Sequence, residues 1–334
     1  MQFKALRYAV TIAVLLALFV VMLGAYTRLT DAGLGCPDWP GCYGQMVLPS
    51  LQNEIESAQN LYPQIPIESR KAWTEMAHRY AAGTLGLLIL FIAISAFRRR
   101  LQGYNLPWQL PLALIFLVIF QAALGMWTVT LKLLPVVVMG HLLGGILIFA
   151  FLCRLALQIS SIAPSNLVQW RFWILLGLII VFCQIALGGW VSSNYAGIAC
   201  IGFPQCNGQW LPSLHFSQGF NLFSPVGANY QGGLLDNEIR VTIQFIHRVG
   251  AIVTAVYLLI LSSLLLAKVS NRCLRLFACL AILFVLVQFF LGVMNVLYLL
   301  PLWVAVAHNG VAALLMALLL MMLYLSQRRS SDAV

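Results

Sequence analysis

Seven stretches of this chain carry no charged side chain over lengths that suit a lipid bilayer: 8–27, 80–97, 101–131, 133–153, 172–193, 249–267 and 276–327. A helix needs about 20 predominantly apolar residues to cross the hydrocarbon core, and the last stretch is long enough for two crossings. Eight transmembrane helices are therefore expected. Because lipid offers backbone groups no hydrogen bonds, spans of this length must be helical. The fold class is then an all-α polytopic membrane protein, as a composition of 62% hydrophobic and 8% charged residues also requires. The first run is longer than a signal-peptide core and has no small-residue cleavage site before Thr27, so it reads as a retained span.

Charge predicts the orientation. Lys4, Arg7, Arg98, Arg99, Arg100, Arg154, Arg171, Lys268, Arg272, Arg275, Arg328 and Arg329 fall on one side of the eight-span layout. Asp31, Asp38, Glu54, Glu56, Glu68, Glu75, Asp236 and Glu238 fall on the other, with only Asp332 among the basic groups. Positively charged residues collect in cytoplasmic loops, so both termini are expected in the cytoplasm of a bacterial-type plasma membrane. The net charge of +10 follows from this layout and from anionic lipid, without a nucleic-acid partner.

Two long outward loops, about 28–74 and 194–239, follow the first and fifth spans, and the sequence around them repeats. Ala32-Gly33-Leu34-Gly35-Cys36 matches Ala196-Gly197-Ile198-Ala199-Cys200, and Cys42-Tyr43-Gly44-Gln45 matches Cys206-Asn207-Gly208-Gln209, at one offset of 164. Leu48-Pro49-Ser50 recurs as Leu211-Pro212-Ser213 and His78-Arg79 as His247-Arg248. Gln121, Gly125 and His141 recur as Gln288, Gly292 and His308. The chain thus reads as two tandem four-helix bundles, 1–160 and 161–334. With an even number of spans in each, the copies share an orientation, giving a parallel pseudo-twofold repeat.

Each even-numbered span carries one histidine near its outer end: His78, His141, His247 and His308. At about 1.5 Å per residue they lie roughly 10 Å along their helices. An ionisable group inside a span is expensive, and the cost falls when a neutral imidazole gives its lone pair to a metal. A single such histidine is more simply an interhelical hydrogen-bonding group. One per even span in both halves, each followed by small residues such as Gly144-Gly145 or Gly250-Ala251, instead suits paired axial ligands of haem. A zinc or copper site would want further Cys, Asp or His ligands within the spans.

Arg79 and Arg248 follow two of these histidines, and could pair with haem propionates or snorkel to lipid headgroups. Gln121, Gln184 and Gln288 read as interhelical hydrogen-bonding groups beside close-packed glycines. His215 falls outside the repeat and has no assigned role.

The halves differ at Glu75, three residues before His78 and so on the same helix face; the aligned residue before His247 is Gln244. Electron transfer needs no carboxylate, whereas removing a proton or stabilising a cation on a substrate does. Chemistry is therefore expected in the first half and electron relay in the second, with an interfacial Glu75–Arg79 pair as the plainer reading. Cys36 with Cys42 and Cys200 with Cys206 are expected to form two short disulfides in the outward loops, the first with either a structural or a redox role. Cys153, Cys183, Cys273 and Cys279 read as small apolar residues.

These motifs resemble those of the heme A synthase family across essentially the whole chain. They are Gly33-Leu34-Gly35-Cys36-Pro37-Asp38-Trp39-Pro40-Gly41-Cys42, Glu75-Met76-Ala77-His78-Arg79, Gly140-His141, Ile246-His247-Arg248 and Ala307-His308-Asn309. The resemblance implies oxidation of the C8 methyl group of heme O to the formyl group of heme A, through successive hydroxylations and dehydration of a gem-diol, for terminal oxidase biogenesis. It implies a heme b cofactor on His247 and His308, substrate haem on His78 and His141, and assistance from Glu75. It also implies heme O synthase and cytochrome oxidase assembly factors as partners, with a quinone or another carrier as electron acceptor. The competing readings are a non-catalytic dihaem cytochrome and a haem-delivery assembly protein. The cytochrome would have no need of Glu75, and the delivery protein would hold one haem loosely and keep the second filled.

Overall fold

The computed structural model describes residues 4–104, 106–160, 162, 164–165 and 167–328. Arg329 and Asp332 of the charge pattern lie outside them. Ten helices follow one another among the described residues: α1 (Lys4–Leu29), α2 (Gln52–Leu61), α3 (Ser69–Leu101), α4 (Gln109–Thr130), α5 (Pro135–Ile159), α6 (Val168–Ser193), α7 (Phe216–Gly219), α8 (Asn237–Lys268), α9 (Arg272–Leu297) and α10 (Leu302–Leu325). All except α2 and α7 are long and apolar enough to cross a membrane. The protein is a multi-pass, all-helical membrane protein.

Local chemistry explains several helix ends. Pro135 opens α5, where a missing amide proton costs nothing because the first turn has no partner for it. Asn271 caps α9 by accepting the Leu274 amide at 2.9 Å. The turn into α5 bends through Lys132 and Leu133, and that into α10 through Leu299 and Leu300, all four at positive φ.

The spans pack as two closed rings. In one, α1 touches α3, α3 touches α4, α4 touches α5 and α5 returns to α1. In the other the order is α6, α8, α9 and α10, with α10 returning to α6. The rings meet where α5 and α10 pack on each other, flanked by α1 against α10 and α5 against α6. Lipid is as apolar as a leucine side chain, so close van der Waals packing has to hold such helices together. The interior accordingly mixes alanines (Ala13, Ala17, Ala281, Ala313) with fully enclosed Phe149, Leu152, Leu155 and Ile174. Phe116 and Leu87 instead point outward.

The two long loops emerge at the same end of the bundle. Two of the histidine-bearing helices begin earlier than hydropathy indicates. α3 starts at Ser69 and α8 at Asn237, so His78 and His247 lie roughly three turns inside their helices, against two for His141 and His308. The polar first turn of α3 cannot register in an apolar-run argument. It forms because Ala72 and Met76 bury against Cys36, Cys42, Tyr43 and Leu48 of the loop above.

Phe149→Ala should lower stability by about 3–5 kcal/mol, the cost of a cavity in a packed interior. Phe116→Ala, on the outward face, should leave the thermal unfolding midpoint in detergent unchanged. Equal midpoints for the two variants would contradict the placement of the core.

Candidate functional site

Each of the four histidines leans on a glycine of the span before it. A Cβ added to Gly24 would lie 2.9 Å from Cε1 of His78; on Gly125, 3.3 Å from Cε1 of His141; on Gly188, 3.1 Å from Cε1 of His247; on Gly292, 3.2 Å from Cε1 of His308. The missing side chain is what lets each imidazole edge reach the neighbouring backbone. His78 and His141 face one another with ring centroids 6.3 Å apart and planes at 79°. Two imidazoles sharing one metal through nitrogen bonds of about 2 Å would have centroids about 6 Å apart, so this pair is already at ligating separation. Among the described residues no three His, Cys, Asp or Glu side chains converge as a metal site.

The Nδ1 atoms of His78, His141 and His308 are buried without a partner. His247 differs. The side-chain nitrogen of Gln184 lies 3.1 Å from its Nδ1 and also donates to its backbone carbonyl at 3.0 Å. Gln184 therefore hydrogen-bonds between spans, as expected. Gln121 packs its side chain over Gly144 but leaves its amide nitrogen unpartnered, and Gln288 leaves its carbonyl oxygen so.

Above the histidines lie two disulfide-closed loops. Cys36–Cys42 and Cys200–Cys206 are bonded, with Cα atoms 4.8 and 4.9 Å apart. Each loop ends in a tight turn, Tyr43-Gly44 and Asn207-Gly208, with positive φ at both central residues and reciprocal backbone bonds between Cys42 and Gln45 and between Cys206 and Gln209. That mirror-image turn explains a glycine in second place in both copies. Asp38 fastens the first turn by accepting from the amides of Tyr43 and Gly44, at 2.6 and 2.9 Å. Asn207 takes the comparable role in the second, accepting from Ile201 and donating to Ala199.

Arg79 and Arg248 reach up into these loops. Arg79 donates to the carbonyls of Asp38, Pro40 and Gly41, and Arg248 to those of Cys200, Gly202 and Gln205. Glu75, 5% exposed, completes the first clamp. One carboxylate oxygen pairs with Arg79 and the other accepts the Cys36 amide at 2.9 Å. Gln244 occupies the corresponding place on α8, buried with its carbonyl oxygen unpartnered. Loop carbonyls thus take terminal nitrogens of both guanidinium groups, while Nε of Arg248 is buried without a partner. Gly35 brings the loop this close: a Cβ there would lie 2.6 Å from the carbonyl carbon of Lys71 at the start of α3.

His215 stays remote from this centre. Its amide donates to Thr242 at 2.8 Å, which fixes a loop. Sequence reasoning expected close-packed glycines beside Gln121, Gln184 and Gln288, but not that these glycines and Gly24 each face a histidine, nor that Gln184 reaches His247. The signal was present as a Leu-Gly pair in each odd-numbered span: Leu23-Gly24, Leu124-Gly125, Leu187-Gly188 and Leu291-Gly292.

Residues 7–320 match the family described as cytochrome oxidase assembly protein, COX15-CtaA. The chain is 43% identical to a protein named heme A synthase from Shewanella oneidensis, over 98% of both chains. It is 30% identical to one of the same name from Allorhizobium ampelinum, over 94% of this chain and 88% of the other. A third, from Shouchella clausii, is 29% identical over 98% and 99%.

Gly35→Ala should lift the first loop off α3 and break the Cys36 amide bond to Glu75. An added protease should then cut within residues 36–68 faster than in the unaltered protein. Gly83→Ala, where a Cβ meets nothing within 4 Å, should be cut at the original rate. Protection of the Gly35→Ala loop equal to that control would show that the close approach is dispensable.

Proposed function

We infer the roles of the four histidines from one premise: the chain belongs to the heme A synthase family, COX15-CtaA, and is an enzyme that converts heme O to heme A. The substrate haem is held by His78 and His141 in the half formed by residues 1–160. Heme b is held by His247 and His308 in the half formed by 161–334. The 6.3 Å centroid separation of His78 and His141 supports the first assignment. The seat of His247 and His308 against Gly188 and Gly292, with Nδ1 of His308 sealed and Nε2 left as its ligating nitrogen, fits the second. Heme b supplies one-electron redox chemistry when bound.

Glu75 carries the assignment of chemistry to the first half. Its carboxylate is fixed by Arg79 and the Cys36 amide, one turn before His78 on the same helix face. A buried, hydrogen-bonded carboxylate in that place can stabilise positive charge developing on the substrate and take up a proton released as the methyl group is oxidised. Gln244 can do neither. Arg79 holds the negative charge of Glu75 in place and ties the disulfide loop down as a cover, which keeps bulk water from the reacting edge. Arg248 secures the second cover without an acid beneath it. Both arginines remain candidate propionate partners, and Nε of Arg248 is buried with no acceptor of its own.

The pseudo-twofold relation between the halves is supported by two contacts. Arg28 donates to the carbonyl of Ser192 at 2.5 Å and Tyr195 to Asp31 at 2.9 Å, and both pairs join residues related by the repeat offset of 164. Such self-matching contacts are what a local two-fold axis produces. The charge bias supports a layout with both termini in the cytoplasm and the haem sites toward the outer face of a bacterial plasma membrane. Electrons then leave to a quinone or an external carrier. Heme O synthase and cytochrome oxidase assembly factors are the protein partners consistent with this role.

Haems extracted with acid from purified protein and resolved by chromatography should include heme O or heme A beside heme b; heme b alone would overturn the assignment of a substrate site. Glu75→Gln and Glu75→Ala should retain haem and stop heme A formation, and undiminished conversion in both would remove Glu75 from the chemistry. His247→Ala and His308→Ala should lose heme b. An unchanged absorbance spectrum in both variants would refute those ligands.

A further inference from the structure

We propose that Gln184 is a positioning residue that makes the second-half haem a permanent one, and that its absence from the first half leaves the substrate haem exchangeable. The inference rests on the reading that His247 and His308 hold the cofactor and His78 and His141 the substrate. Gln184 stands one turn before Gly188, the glycine against His247, and its side-chain nitrogen bridges the ring Nδ1 and the backbone carbonyl of His247. The bridge ties both the ligand and its helix to α6. It has a specific seat, because Gly250 lies directly under the amide and any Cβ there would run into the Gln184 carbonyl oxygen.

At His78 both parts are missing. The offset that takes Gly188 to Gly24 takes Gln184 to Val20, and Ala81 stands three residues after His78 where Gly250 stands three after His247. Nδ1 of His78 is accordingly buried with no partner. At the other ligand of each half, Gln121 and Gln288 stand one turn before the facing glycines, with Gly144 beneath Gln121 and Val311 three residues after His308. His141 and His308 each lie against the backbone of that glutamine, and neither Nδ1 has a side-chain partner. Among the four histidines, Nδ1 has a side-chain partner at His247 and not at His78, His141 or His308.

A ring that ligates through Nε2 carries its proton on Nδ1 and donates it, so the Gln184 carboxamide supports bound haem by turning its oxygen to that N–H; losing such a partner costs roughly 10–100-fold in metal affinity. A cofactor gains from that support. A haem that arrives as substrate and leaves as product is better served by a ring held only through packing.

The test uses the purified full-length protein in detergent with excess apomyoglobin as haem acceptor. Gln184→Met, which keeps the volume and removes the amide, should release heme b roughly 10–100-fold faster than the unaltered protein, with a shifted heme b midpoint potential. Gly250→Ala, which displaces Gln184 without removing it, should act in the same direction. Val20→Gln combined with Ala81→Gly should slow release of heme O and heme A. Loss of heme b at the original rate and an unchanged midpoint potential in both second-half variants would overturn the role of Gln184. Chromatography of the released haem keeps the two readings apart: if heme b leaves the unaltered protein fast while heme O or A stays, the assignment of the halves fails, whatever Gln184 does.

Discussion

A neutral imidazole packed on a bare glycine backbone is the contact on which the arrangement depends. An ionisable ring within a span is costly unless packing and polar partners receive it, and here the four rings solve the problem in one way. Glycine at the facing position removes the side chain that would otherwise occupy the ring's place, and the two spans approach closely. Each odd-numbered span is thereby matched to the next even-numbered one: α1 to α3, α4 to α5, α6 to α8 and α9 to α10. Those four pairs build the two rings, and the α5–α10 contact joins them.

The loops follow from the same economy. A buried guanidinium must spend its donors on acceptors, and the carbonyls of a tight disulfide-closed loop present several in one small volume. Arg79 and Arg248 thus convert a loop that would otherwise be solvated into a fixed cover over each histidine pair. Only the first cover also engages an acid. The carboxylate of Glu75 is stabilised by Arg79 and a backbone amide, a combination that offsets the desolvation of a charge at such a site. Gln244 in place of that acid leaves the second cover without a carboxylate, which fits the proposed division between a haem that is changed and one that remains.

Much of this was legible before any coordinates. Span number came from apolar length, because transfer of a segment into lipid is nearly a sum over its own residues. The histidines and loop cysteines came from spacing repeated in both halves. The Glu75–Gln244 difference came from aligning those repeats. What escaped was relational. Polar Ser69–Lys71 extend α3 beyond its apolar stretch because Ala72 and Met76 pack under a loop more than 20 residues away in sequence. Arg79 and Arg248 read equally well as propionate partners or lipid anchors, since a long side chain reaches in several directions and only the loop's position decides among them.

By itself, then, the sequence determined the eight helices, the basic and acidic ends, the repeat and the residue types available for chemistry, all properties of segments judged one at a time. Tertiary structure decided which glycine faces which histidine, that Gln184 holds His247 while Val20 leaves His78 without support, and that the Cys36 amide ends on Glu75. Those contacts depend on the angle and register at which spans pack. In a lipid-like interior these are set by the summed fit of many side chains, and no local stretch of sequence carries that sum.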